Sequence, residues 1–176
     1  MELLQGQTTW LGATPRMLHG KRGTNFAFYT SKDANRVELC LFDRASGAGE
    51  IPGGRMDFTF KEEVLGNDGK TVIGYIWNGF APGVDEGALY GFRVHSDKGF
   101  DPQNGVYFNP NKLLVDPCAK AVTHEIHEWD ARHYPSNLSD DADIMPKARV
   151  VDWRALQQKA QTGMPAGALY SHADTN

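Results

Sequence analysis

Cysteine is scarce in this sequence, with only Cys40 and Cys118 among 176 residues. Two thiols do not form the kind of disulfide framework that stabilises small secreted domains. We therefore interpret both as small side chains that are buried or half-buried. This interpretation favours a reducing compartment, and we expect the protein to be cytoplasmic.

Long hydrophobic runs are also absent. No apolar stretch approaches the roughly 20 residues that a membrane-spanning helix requires. The first residues, MELLQG, have neither the basic start nor the apolar core of a signal peptide. We expect a protein that is neither anchored in a membrane nor exported.

An excess of positive charge is the third absence. The chain has 18 Lys and Arg against 22 Asp and Glu, a formal net charge of −4, with the two signs interspersed. Because there is no basic field to meet phosphate groups, nucleic acid is disfavoured as a partner. Neutral sugars remain compatible with this charge pattern.

Motifs for catalysis are missing as well. The sequence contains no GxSxG elbow, no phosphate-binding glycine loop and no cysteine–histidine nucleophile arrangement. Glycoside hydrolysis needs two carboxylates at a defined separation, but three of the four available aspartates precede turns or a helix, where they have capping roles. These four are Asp101, Asp116, Asp143 and Asp152. We therefore nominate no catalytic residue and expect no cofactor.

One histidine-rich stretch resembles a metal site only superficially. His124 and His127 form the pattern HExH, and His133 follows. This spacing is one residue short of HExxH, which places two imidazoles on one face of a helix. We interpret the stretch as a solvated polar loop and predict no metal site.

Most of the chain shows the period-2 alternation of β-strands that are buried on one face. The expected inward positions are Phe26, Phe28, Val37, Leu39, Leu41, Met56, Phe58 and Phe60. The run Gly66-Asn67-Asp68-Gly69 lies between two extended segments and predicts a hairpin. Repeated short strands with little helical periodicity predict an all-β fold made of two packed antiparallel sheets.

The C-terminal part follows a different pattern. Residues 123–143 lose the alternation, which predicts a long loop held, if at all, by Trp129 and Tyr134. Good helix formers follow the capping residue Asp152 and predict a helix over 152–161, before Gly163 and Pro165 stop it.

These patterns divide the chain into three parts. We expect a β-sandwich module over residues 1–122 and a loop or arm over 123–151. A short helix and a flexible linker are expected over 152–176.

The most informative part of the sequence runs from residue 89 to residue 121. Over residues 89–95, Tyr90, Phe92 and Val94 share one face, so that face should pack while the other can meet a partner. Three Asx-Pro pairs follow, which favour turns and exclude helix at the residue before each proline. We expect an ordered, extended segment.

This segment resembles the N-terminal part of bacterial glycogen debranching enzymes and isoamylases of glycoside hydrolase family 13. YGFRVHSDKGFDP and GVYFNPNKLLVDPCAKA are similar to the family's YGYRVHGPYDP and GHRFNPNKLLLDPYAKA. Further blocks resemble the family in the same order: LGAT from residue 11, TNFAFY from 24, RVELCLFD from 36, IWNGFAPG from 76 and MPK from 145. The resemblance covers roughly residues 11–122.

The resemblance implies an immunoglobulin-like antiparallel β-sandwich of carbohydrate-binding module family 48, placed before a (β/α)8 catalytic barrel that hydrolyses α-1,6 branch points. Such a barrel needs about 250 residues, more than the 176 present, so we do not expect this chain to be a glycosidase by itself.

The resemblance favours an accessory domain of a debranching enzyme, whose partners would be its own catalytic barrel and an α-glucan such as glycogen or limit dextrin. Two alternatives remain open. One is an autonomous α-glucan-binding module, and the other is a purely structural or regulatory sandwich.

Candidate binding residues follow from the chemistry of sugars, which need a flat aromatic ring and a few hydrogen-bonding side chains. Trp77 is the best candidate platform, with Asn78 beside it and with Tyr90 and Arg93 on neighbouring strands, although a tryptophan in a strand is at least as often a core residue. By resemblance only, four residues are predicted to dock on the barrel: Phe108, Asn109, Asn111 and Lys112.

Overall fold

Strands make up most of the regular structure in the computed structural model, which describes residues 1–47, 49–126 and 128–161. In chain order they are β1 (Gly12–Leu18), β2 (Lys21–Ser31), β3 (Arg36–Phe42), β4 (Glu50–Asp57), β5 (Phe60–Leu65), β6 (Val72–Pro82), β7 (Leu89–His95), β8 (Phe100–Asp101), β9 (Val106–Tyr107), β10 (Ala121–Val122) and β11 (Ala148–Arg149). Short 3₁₀ helices lie at Pro102–Asn104 and Ala131–His133, and the helix α1 spans Trp153–Gln161.

The strands form two antiparallel sheets that pack face to face. One sheet has the order β1-β2-β6-β5 and the other has the order β10-β11-β7-β3-β4, while β8 and β9 form a separate ribbon. Phe28 pairs with Trp77 in the first sheet, and Leu39 pairs with Phe92 in the second. The predicted all-β sandwich is confirmed.

The core lies between the two sheets. Phe26 and Phe28 of β2 meet Tyr90 and Phe92 of β7, with ring centroids 5.0 Å and 4.3 Å apart. Since β2 and β7 belong to different sheets, these ring contacts join the layers. All the predicted inward positions are buried except Phe60, which is half-buried. The period-2 alternation in the sequence therefore predicted these core positions correctly.

The predicted hairpin forms between β5 and β6. The Gly66 N–H donates to Thr71 O at 2.8 Å, and the Asp68 carboxylate accepts from the amides of Lys70 and Thr71 at 3.0 and 2.9 Å. These amides and the Thr71 hydroxyl, which is the largest influence, lower the pKa of Asp68 to about 2. Gly69 has a φ of 65°, a left-handed conformation that suits glycine.

After β7 the chain returns across the outer face of the five-stranded sheet, and residues 108–147 are here called the covering segment. Leu114 and Phe92 exchange two backbone hydrogen bonds of 2.8 and 2.9 Å. Leu113 lies so close to β7 that a Cβ added at Gly91 would fall 2.7 Å from Leu113 Cδ1. Both faces of β7 are therefore covered, so the face expected to meet a partner meets the chain itself.

Both ends of the loop predicted over residues 123–143 are attached to the sandwich, because β10 precedes it and β11 follows it in the five-stranded sheet. The three-part division of the chain stays a prediction.

Both cysteines have the burial that was predicted for them, since Cys40 is buried and Cys118 is half-buried, and both are free. Burial raises the pKa of the Cys40 thiol to about 12.

The helix α1 begins where the capping residue predicted it. The Ala155 N–H donates to Asp152 Oδ1 at 3.1 Å, which satisfies one of the free amides at a helix N-terminus. The predicted linker, including Gly163 and Pro165, lies outside the described residues. In the part of the chain that the structure describes, no helix has the length and apolar character needed to cross a membrane.

Candidate functional site

Trp77, the predicted sugar platform, lies inside the sandwich. It is 4% exposed, and its Nε1 donates to Thr30 Oγ1 at 2.9 Å. The ammonium group of Lys61 lies 4.6 Å from the indole centroid. A stacking platform needs a ring face open to solvent, whereas the Trp77 side chain packs in the core cluster, as in the core alternative that the sequence left open for it.

The other three predicted sugar ligands do not converge with Trp77. Asn78 follows it on β6 and therefore points to the opposite face, where it accepts the Gly6 N–H at 3.1 Å. Tyr90 is fully buried in the core. Arg93 is 1% exposed and lies on the outer face of the other sheet. The structure does not bring these four residues together, and their carbohydrate contact stays a prediction.

Tyr90 and Arg93 are bound by the chain itself. The Tyr90 hydroxyl donates to Asp116 Oδ2 at 2.6 Å. Arg93 donates to Pro110 O at 2.9 Å and to both oxygens of Asp140 at 2.9 and 2.8 Å. These bonds tie the core and the outer face of β7 to the covering segment.

Two of the four predicted docking residues are turned inward. Asn109 is 8% exposed and Lys112 is 7% exposed. Asn109 Nδ2 donates to the carbonyls of Pro135 and Asn137 at 2.7 and 2.9 Å. Lys112 Nζ donates to the carbonyls of Arg132 and Ser139 at 2.6 and 2.8 Å. Both side chains hold the loop that follows them in the sequence.

The remaining two predicted docking residues are half-buried. Phe108 packs against the main core, and the Asn111 N–H donates to Asn109 Oδ1 at 3.0 Å. Docking of these residues on a catalytic barrel stays a prediction.

The loop over residues 130–143 is held by further polar contacts. Asp130 and His133 form a capping box around the 3₁₀ helix. Arg132 reaches both oxygens of Asp143 at 2.8 and 2.9 Å. Trp129 and Tyr134, which the sequence offered as the residues that hold this loop if any do, are 63% and 53% exposed, so the polar contacts are the ones that attach the loop to the rest of the domain.

The exposed rings of Trp129 and Tyr134 and the half-buried ring of His133 form a group, here called the aromatic cluster. The Trp129 ring centroid lies 5.0 Å from that of His133 and 5.6 Å from that of Tyr134, with the Tyr134 ring edge-on at 77°. Such edge contacts hold aromatic rings in a fixed relation. The cluster therefore presents a large, ordered aromatic surface to solvent.

A groove with a volume of about 530 Å³ adjoins the aromatic cluster through His133. Its walls are mostly apolar and come mainly from β2, β7, β9 and the covering segment. The rings that line it, besides His133, are Phe28, Tyr29, Tyr107 and Phe108. Tyr29 and Tyr107 are 44% and 60% exposed, so this groove is open to a ligand.

The charged groups that line the groove are paired. They are Lys112 and Asp141, whose ammonium and carboxylate groups are 3.9 Å apart. Asp141 Oδ1 accepts the Leu113 N–H at 2.8 Å, although burial raises the pKa of this carboxyl above its ordinary value. The groove therefore offers a ligand aromatic and apolar walls without an unpaired charge.

Part of the histidine-rich stretch lies within the described residues. His133 uses Nδ1 in the capping box, and His127 lies outside the described residues. Within residues 1–47, 49–126 and 128–161, no group of three or more His, Cys, Asp or Glu side chains could hold a metal ion.

Sequence reasoning missed the aromatic cluster because Trp129 and Tyr134 stand in a loop without strand alternation. The available signal was their isolation among polar residues. An aromatic side chain within a period-2 pattern is readily explained as a core residue of a strand. Trp129 and Tyr134 belong to no such pattern, so a core position explains them less well.

The fold places the chain among the immunoglobulin-like β-sandwich modules. The family model described as Carbohydrate-binding module 48 (Isoamylase N-terminal domain) matches residues 10–119, and the chain belongs to this family. The resemblance read from the sequence blocks is thereby confirmed. Trp129 and Tyr134 lie outside the matched range.

Curated relatives extend the likeness beyond the matched module. Glycogen debranching enzymes from Serratia proteamaculans and Dickeya chrysanthemi are 38% and 36% identical over 154 residues, which is 86% of this chain and 20% of each relative. The glycogen debranching enzyme of Klebsiella pneumoniae is 35% identical over 159 residues, 86% of this chain and 21% of the relative. The chain thus spans about a fifth of the length of these relatives.

Proposed function

We propose that this chain is a non-catalytic accessory domain of a glycogen-debranching enzyme, that it contacts α-glucan, and that it supports a catalytic barrel of glycoside hydrolase family 13. Membership of a carbohydrate-binding family and likeness to glycogen debranching enzymes support this proposal. The two free cysteines fit a reducing compartment, so we also propose the cytoplasm as its location.

The observation that carries the proposal is an aromatic surface that is both exposed and fixed. Trp129 is 63% exposed, yet its loop is held by the buried side chains Asn109 and Lys112. Exposed apolar groups on an ordered surface commonly mark a binding site. Aromatic faces suit the apolar faces of glucose rings, because stacking there removes apolar surface from water.

Glucan contact can be tested by electrophoresis of the chain in native gels that contain glycogen, a soluble β-glucan or no polysaccharide. We expect retardation in the glycogen gel only. Equal mobility in all three gels would contradict glucan contact by this chain.

Support of a catalytic barrel needs a separate test in a larger protein. The region of the Serratia proteamaculans enzyme that matches this chain can be deleted, or replaced by this chain. We expect the replacement to restore soluble enzyme and the release of reducing ends from glycogen relative to the deletion. A deletion variant as soluble and active as the replacement would contradict the supporting role.

The same pair of tests separates the accessory domain from an autonomous module. An autonomous α-glucan-binding module would be retarded by glycogen but would not restore the shortened enzyme. An accessory domain that also contacts glucan would do both.

A further inference from the structure

We infer that the α-glucan contact lies at the aromatic cluster and the adjoining groove, where a neutral glucose oligosaccharide stacks on Trp129 and continues past His133. This inference rests on the proposed function and adds a location to it. None of the four residues predicted from the sequence as sugar ligands belongs to this site.

The first argument is the geometry of the rings. Tyr134 meets Trp129 edge-on at 77° and a centroid distance of 5.6 Å, and the Trp129 side chain is still 63% exposed. An exposed indole in a fixed orientation can stack on one glucose ring. The groove beside it, with a volume of about 530 Å³, falls within the usual size range of ligand sites, and its exposed tyrosines offer surfaces for further glucose units.

The second argument is rigidity. The loop that carries the cluster is held by Lys112 through two carbonyls at 2.6 and 2.8 Å and by the Arg132–Asp143 pair. The capping box of Asp130 and His133 fixes the turn itself. Because the rings are ordered before a ligand arrives, binding does not have to order them.

The third argument is the charge of the site. Lys112 is paired with Asp141 and bound to backbone carbonyls, and Arg132 is paired with Asp130 and Asp143. These charges are used inside the domain, so Lys112 and Arg132, the Lys and Arg side chains that the structure describes at this site, are not unpaired cations for a phosphate or an acidic peptide. A neutral polyol with apolar ring faces is the chemistry that fits.

His133 adds a polar group to the groove wall. Its Nδ1 lies 3.0 Å from the Asp130 nitrogen and 3.1 Å from the Asp130 carbonyl oxygen, so this ring nitrogen is used within the turn. Among the described residues, Nε2 is a buried atom with no hydrogen-bond partner. Since an unpaired buried polar atom costs free energy, a ligand hydroxyl that reaches Nε2, as donor or acceptor, would gain a bond.

The test compares the wild-type chain with Trp129→Ala, Trp129→Phe, Tyr107→Ala and Trp153→Ala in gels of increasing glycogen concentration. Maltoheptaose, followed by tryptophan fluorescence, serves as a second probe. Trp153 is 54% exposed, so Trp153→Ala is a matched control for the loss of an exposed tryptophan. Thermal unfolding of each variant verifies that it is folded.

We expect Trp129→Ala to weaken glycogen binding by about tenfold or more, which corresponds to about 1.4 kcal/mol. Trp129→Phe should lie between it and the wild type because a ring remains. Tyr107→Ala should weaken binding by a few-fold, and Trp153→Ala should bind like the wild type.

Other outcomes distinguish glucan contact by the chain from the location of that contact at the aromatic cluster. If the wild type binds and Trp129→Ala binds equally well, or if only Trp153→Ala loses binding, the location is overturned while glucan contact stands. If the wild type itself is not retarded by glycogen and does not respond to maltoheptaose, the proposed glucan contact fails and this inference fails with it.

Discussion

The individual residues that fix this architecture are charged and buried. Arg93, Lys112 and Asp116 are only 1%, 7% and 3% exposed. A buried charge is costly unless hydrogen bonds replace its hydration, and each of these three side chains has such bonds within the chain. Their charged groups are therefore used to hold the covering segment against the sandwich.

Asp116 gives a prediction for pH dependence. Burial raises the pKa of this carboxyl, even though it accepts bonds from the Tyr90 hydroxyl and the Cys118 N–H. The folded state thus holds the proton more tightly than the unfolded chain. Its contribution to stability is complete below the ordinary pKa of 3.8 and is lost as pH rises through the raised pKa.

The variant Asp116→Asn stays neutral at every pH. We therefore expect the wild-type free energy of unfolding, relative to this variant, to fall as pH rises above 3.8. The fall should be about 1.4 kcal/mol for each unit by which the pKa is raised. Urea denaturation at several pH values measures this difference.

Asp68→Asn is the control, because the pKa of Asp68 is shifted in the opposite direction from that of Asp116. The pKa of Asp68 is lowered to about 2, so its contribution is present above 3.8 and is lost only as pH falls through about 2. Its difference from the wild type should be constant between pH 4 and pH 7. A constant difference for Asp116→Asn as well would contradict the role assigned to Asp116.

At the scale of elements, β7 and the covering segment depend on each other. The backbones meet through Phe92 and Leu114, and the side chains meet where Leu113 lies over Gly91. Leu113 is 1% exposed and packs with Cys40, Phe42 and Leu89 in a second, smaller core. This smaller core is the reason that both faces of β7 are buried.

Gly91→Ala tests this close approach. The added Cβ would fall 2.7, 2.9 and 3.2 Å from three atoms of the Leu113 side chain, so we expect a loss of stability of about 1–3 kcal/mol from overpacking. Leu113→Ala should cost about 2–5 kcal/mol. The double variant should lose less than the sum of the two, since the smaller side chain makes room for the new methyl group.

Urea denaturation of the four proteins closes this double-mutant cycle. Additive losses would show that the two residues do not compete for the same space, and would contradict the packing described for the covering segment.

The loop that carries the aromatic cluster depends on Lys112. Lys112→Met keeps most of the hydrocarbon stem but removes the donors to Arg132 O and Ser139 O. We expect a loss of about 1–3 kcal/mol for the unsatisfied groups and faster hydrogen exchange in residues 130–139. Glycogen binding should weaken, because the rings are no longer held.

Hydrogen exchange followed by mass spectrometry measures this effect. Lys120 is an exposed lysine of the covering segment, so Lys120→Met is the matched control and should leave exchange unchanged. Unchanged exchange in residues 130–139 of Lys112→Met would show that this lysine does not hold the loop.

At the scale of the whole molecule, the sandwich could be predicted because alternation reports one buried face of a strand. Val37, Leu39 and Leu41 were placed in the core for this reason, and all are buried. The turn chemistry of residues 66–69 likewise predicted the hairpin. Both signals are local, so one sequence is sufficient to read them.

The covering segment could not be predicted in the same way. Its contacts join residues far apart in the chain, such as Arg93 and Asp140 or Asn109 and Pro135, and no local period reports them. Trp77 shows the same limit. A tryptophan in a strand can face the core or the solvent, and only the packing of the second sheet decides that it is buried.

The most direct test of the proposed glucan-contacting surface is a titration of the ¹⁵N-labelled chain with maltoheptaose, followed by amide correlation spectra. We predict saturable shifts in residues 107–109 and 129–135, with no change at the hairpin turn over residues 66–69. The absence of any saturable shift, or shifts centred away from the aromatic cluster and groove, would contradict it.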